Sequence, residues 1–76
     1  MYTDNMRSVV HNLIPPKGFG VTIIDNEHFI TIKLNEKQFL HMSHDEKIES
    51  LQYIIRLKNA LEQEGAIVLV TREAIK

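Results

Sequence analysis

The chain has 76 residues, enough for one domain, with 43% apolar and 25% charged side chains and a formal net charge of −1. Its nine Lys and Arg are scattered, which argues against a general duplex-DNA binder, because neutralising phosphates supplies most of such affinity. The absence of cysteine excludes disulfides and thiolate metal sites.

No apolar run is long enough to span a bilayer, and residues 1–14 carry charges where a signal peptide has its apolar block. The expectation is a cytoplasmic protein with no membrane contact.

Residues 4–14 place Met6, Val9, Val10, Leu13 and Ile14 at helical spacing, with Thr3 or Asp4 as cap and Pro15-Pro16 as terminator. This predicts an N-terminal helix within residues 1–16.

Residues 18–42 read as antiparallel strands. With Asn26-Glu27 as a two-residue loop, Asp25 faces His28, Ile24 faces Phe29, Ile23 faces Ile30, Thr22 faces Thr31 and Val21 faces Ile32. Like meets like at nearly every rung. A second turn at Asn35-Glu36-Lys37 leads into a predicted third strand at residues 38–42, which sets Ile32 beside Leu40 and Thr31 beside His41. One face then carries Val21, Ile23, Ile30, Ile32, Leu40 and Met42 and forms a core. The other carries Thr22, Ile24, Phe29, Thr31, Lys33, Phe39 and His41 and is mixed.

The stretch HMSHDE, residues 41–46, holds two histidines and two carboxylates. Metal binding needs three or four ligands, and His41 and His44 fall on different predicted elements. Ser43 followed by Glu46 is instead the S-x-x-E capping box that starts a helix. No metal site is expected.

The long helix is predicted over 43–64, with Gly65 as its C-terminal stop. Ile48, Leu51 and Ile55 form one apolar stripe. Ile54, Leu57 and Leu61 form a second, flanked by Tyr53 and Ala60. A helix lying on a sheet needs only about 100° of apolar arc, so this one requires a second neighbour, either the N-terminal helix or another molecule. Glu62 and Glu64 stand at the helix C-terminus, where the dipole disfavours anions. The apolar run AIVLV, with a strand over 66–71, suits a strand covered on both faces or lying inside the sheet.

These elements predict one small α+β domain spanning 1–76, in the order α-β-β-β-α-β, with a mainly antiparallel sheet and the long helix on one face. There is no phosphate-binding glycine loop, nucleophile elbow or facing carboxylate pair, and so small a domain has little room for a substrate pocket. The expectation is a non-enzymatic protein with no cofactor.

Apolar surface in excess of what a short chain hides points to a protein-binding module: an accessory, regulator or inhibitor that contacts another protein or a second copy of itself. The candidate contact residues are Ile24, Phe29, Phe39, Tyr53, Leu57 and Leu61. The alternative is single-stranded nucleic-acid binding on the mixed sheet face, through Phe29, Lys33, Phe39 and His41.

Overall fold

A computed structural model describes residues 2–73. Its elements are α1 (Asp4–Asn12), β1 (Val21–Asp25), β2 (Ile30–Asn35), α2 (Glu36–Leu40), α3 (His44–Gln63) and β3 (Val68–Glu73). The class is α+β, in the order α-β-β-α-α-β. The sheet order is β1-β2-β3, with β1 antiparallel to β2 and β3 parallel to it. It is therefore a mixed sheet, and the expectation of a mainly antiparallel one is corrected. A parallel partner requires a crossover, and α3 is that crossover.

The Thr3 side chain caps α1 by accepting from the Met6 amide at 3.1 Å. The helix stops two residues short of the predicted end. A residue before proline avoids the helical region, so the chain unwinds ahead of Pro15, Leu13 is already extended, and Ile14 is 87% exposed. The turn that follows has its Phe19 amide bonded to the Pro16 carbonyl at 3.1 Å and Gly18 at φ +79°. Positive φ at that position requires glycine, as in a type II turn. The turn drops Phe19 into the core, where its ring meets Tyr53 edge-on at 6.3 Å between centroids.

The hairpin register differs from the prediction by two residues. Ile23 pairs with Ile32, Ile24 with Thr31 and Asp25 with Ile30. The loop is four residues long, Asn26 to Phe29. It is closed by the Asn26 amide on the Phe29 carbonyl at 2.9 Å and by the Asn26 side chain accepting from the His28 amide at 3.2 Å. Asn-Glu lacks the glycine that a tight two-residue loop favours, while an Asx-type turn needs only the asparagine. A two-residue slip preserves the faces. Val21, Ile23, Ile30 and Ile32 still point inward, joined by Leu34.

Residues 38–42 form no strand. Asn35 caps α2 with its side chain, accepting from the Gln38 amide at 3.1 Å, and Glu36-Lys37-Gln38 are good helix formers. The Gln38 side chain then accepts from the Gly20 amide at 3.3 Å and ties α2 to the approach of β1. Leu40, predicted for the core, is exposed, while Phe39 and Met42 pack against it.

The helix α3 buries Ser50, Tyr53, Ile54, Leu57 and Leu61. It ends in a Schellman motif: the Ala66 amide reaches the Leu61 carbonyl at 3.2 Å and the Gly65 amide reaches Glu62 at 3.0 Å, with Gly65 at φ +93°. Met6 of α1 joins the same core. Because Met6 is 2% exposed, Met6→Ala is expected to cost about 2–5 kcal/mol, whereas Ile14→Ala should stay within about 0.5 kcal/mol. Urea unfolding midpoints measure both, and similar losses at the two positions would contradict the docking of α1.

Candidate interaction surface

Residues 41–46 settle into a cap. The Ser43 hydroxyl accepts from the Glu46 amide at 3.2 Å, and Glu46 Oε1 accepts from the Ser43 amide at 3.0 Å. The Ser43 amide, and then its hydroxyl, hold the Glu46 carboxyl below its ordinary value of 4.5. Among the described residues, no three His, Asp or Glu side chains stand together as a metal-binding group. His41 ends α2 and lines an open cleft of about 370 Å³ with Lys17, Lys37, Gln38, Met42 and Glu46.

The structure divides the candidate contact residues into two groups. Tyr53, Leu57 and Leu61 are core: Leu57 and Leu61 are fully buried, and burial is the main cause raising the Tyr53 phenol above its ordinary value of 10.0. As core side chains, these three are not presented to a partner. Phe39, on α2, packs against the core with the Lys47 ammonium 5.8 Å from its ring centroid. Ile24 is exposed and Phe29 half-buried. The nucleic-acid set is divided in the same way: Phe29 ends the hairpin loop and Lys33 lies on β2, whereas Phe39 lies on α2 and His41 caps its end. The loss of the third strand is the reason.

The wide arc of α3 is resolved by its neighbours. The stripe of Ile54, Leu57 and Leu61 is buried. On the flank of Tyr53, α1 packs against α3, close enough for Tyr2 to influence the Tyr53 phenol. The stripe of Ile48, Leu51 and Ile55 lies on the other flank and stays exposed, Ile55 at 57%.

A second apolar surface lies on the sheet face away from the helices. Register places Ile24, Thr31 and Leu69 side by side across all three strands, with Thr22, Lys33 and Thr71 as the next rung. The Ile30 amide bonds the Ile67 carbonyl at 2.8 Å, so alternation sends Phe29 and Ile67 to the same open face. Ile67 is 63% and Leu69 49% exposed. The run AIVLV thus overturns its expected place: β3 is an edge strand with one bare face, and only Ala66 and Val68 of the run are buried. Sequence reasoning missed Ile67 and Leu69 as surface residues because a continuous apolar run does not distinguish an interior strand from an exposed edge.

No helix of the described residues is long and apolar enough to cross a membrane. Comparison with protein-family models, curated proteins and solved structures finds no match to this chain.

Ser43→Ala is expected to destabilise the fold by about 1 kcal/mol, with no dependence on added zinc. The depressed carboxyl of Glu46 contributes stability above its unfolded value and loses it as pH falls through the folded one. A Glu46→Gln variant should therefore differ from the parent at neutral pH and converge with it in acid. Thermal melts across pH test this, and a constant difference would contradict the capping box.

Proposed function

We propose that the protein is a non-enzymatic protein-binding module, an accessory or regulator that acts by contact through apolar surface. The observation that supports this most is the exposure of two apolar groups on opposite sides of a thin molecule: Ile48, Leu51 and Ile55 on α3, and Ile24, Ile67 and Leu69 on the open sheet face. Scattered exposed apolar residues are ordinary, but residues grouped at one face mark contact sites. Phe29 borders the sheet group, and Lys33 is the cation on the described part of that face.

The two groups are tested separately. Ile55→Glu and Ile24→Glu replace exposed side chains, so each should leave the melting temperature nearly unchanged. The parent protein is expected to self-associate in sedimentation or to retain a specific protein on affinity purification, and one of the two variants should abolish that contact. A parent chain that is monomeric and retains no protein would overturn the reading.

A further inference from the structure

The outer edge of β3, which meets no strand among the described residues, identifies a partner more specifically than the apolar faces do. Edge strands are normally protected by charge, proline, a bulge or a covering element. The other edge, β1, carries Asp25, whose carboxylate accepts from the Tyr2 amide at 3.2 Å. The strand β3 likewise has its charges at one end, Arg72 and Glu73, and from Val68 to Thr71 it has no charge and no proline. Val70 faces the helix side yet remains 42% exposed, so the helical layer does not cover this edge.

Hydrogen bonding restricts what pairs there. The Ile67 carbonyl points to β2, where it accepts from the Ile30 amide. In a parallel ladder successive residues alternate sides, so Ile67, Leu69 and Thr71 direct their amides and carbonyls to β2. Val68, Val70 and Arg72 direct theirs outward.

The two ends of the strand carry charges of both signs, and one pair of them is complementary across a two-fold axis. Glu62 and Glu64 stand just before it, at the end of α3, whose last turn has no basic residue; Glu62 pairs with Lys58 one turn back at 3.0 Å, and Glu64 is the acidic group nearest the strand. Arg72 lies at its far end, with a 3.4 Å contact to Glu36 and 69% of its side chain exposed.

We propose that a second copy of this chain docks on the edge of β3, the two strands running antiparallel about a two-fold axis at Leu69, so that the sheets join. This rests on the protein-binding reading and names its partner. Outward-facing residues must pair with outward-facing residues, which allows Val68 to bond Val70 of the other copy and places the two Leu69 side chains together at a non-hydrogen-bonded position. That register sets Val68 opposite Val70 and Leu69 opposite Leu69 at the centre, with Ile67 opposite Thr71 on either side. It sets Arg72 of each copy opposite Ala66 of the other, beside the acidic C-terminal turn of its α3, where a cation is favoured. A strand edge of this length buries less than the roughly 800 Å² per partner of a standard interface, so the dimer forms and dissociates with concentration.

Cysteine scanning reads the register directly, because the chain has no cysteine. At the axis, non-hydrogen-bonded neighbours lie about 4.5 Å apart between Cα atoms, within the roughly 4.4–6.8 Å that a disulfide spans. Leu69→Cys is therefore expected to give a covalent dimer under mild oxidation. Thr71→Cys, about 13 Å from its counterpart, should not. The parent mass should rise from monomer toward dimer with concentration, and Leu69→Lys should stay monomeric while retaining its circular dichroism spectrum. Equal cross-linking at both positions, or a parent mass independent of concentration, overturns the pairing. If the chain stays monomeric but Ile24→Glu or Ile55→Glu still abolishes retention of a different protein, the pairing fails and the protein-binding reading stands.

Discussion

The mutual burial of Ile30 and Ile32 on the central strand with Leu57 and Leu61 on α3 is the interaction on which this fold depends. All four are 0% exposed and belong to one cluster. Each fully buried aliphatic side chain contributes about 1.5–3 kcal/mol, which is large beside the net stability of order 5 kcal/mol open to a small domain. Among the described strands only β2 has a neighbour on both sides, and its inward Ile30 and Ile32 are completely sealed. To seal them, the chain leaves β2 through α2, returns as α3, and lays β3 parallel to β2. The capping box at Ser43 and the Schellman motif at Gly65 set where that return begins and ends.

A chain of this size builds two layers, and two layers have two outsides. The helical layer spends its second helix on the Tyr53 flank, where α1 contributes Met6 and Val10 and is followed by Leu13. Nothing in the described chain is then left for the flank of Ile48, Leu51 and Ile55, or for the sheet face bearing Ile24 and Leu69. Both exposures follow from one choice of packing. The alternative, with α1 moved to the other flank of α3, would expose Tyr53 and Phe19, whose edge-on pair joins the turn before β1 to the helix.

Periodicity made much of this legible in the sequence, and element length was where it failed. The helix α3, its cap and its stop were readable because Ser43, Glu46 and Gly65 each have a local physical role. The inward faces of β1 and β2 were readable even though the register was wrong by two, since a period of two survives a slip of two. Residues 38–42 were misread as a strand because their apolar residues fit a short strand as well as a single helical turn. Asn35 with the Gln38 amide was the available sign of a helix start. The two stripes of α3 were visible, but which one stays exposed depends on α1 packing at long range, and no local pattern encodes that. Tyr53, Leu57 and Leu61, read as candidate contacts on a stripe that either the N-terminal helix or another molecule covers, are core.

The position of β3 carries the least resolved tension in the molecule. Parallel strands usually lie in sheets covered by helices on both faces, and their sequences are apolar throughout for that reason. The segment from Ala66 to Val70 has that composition, which is why it reads as an interior strand. In this fold it is parallel to β2, as its composition suits, but helices cover one face only and its outer edge meets no strand among the described residues. The strand β1 tolerates its edge position differently: its antiparallel pairing goes with partial alternation, so Thr22 faces outward where Val21 and Ile23 face in, although Ile24 also faces outward. Thus the two edges of one small sheet are not equivalent. One alternates in part, with Thr22 outward beside a single outward Ile24, and the other retains, at Ile67, Leu69 and Val70, the side chains of a strand that has neighbours on every side.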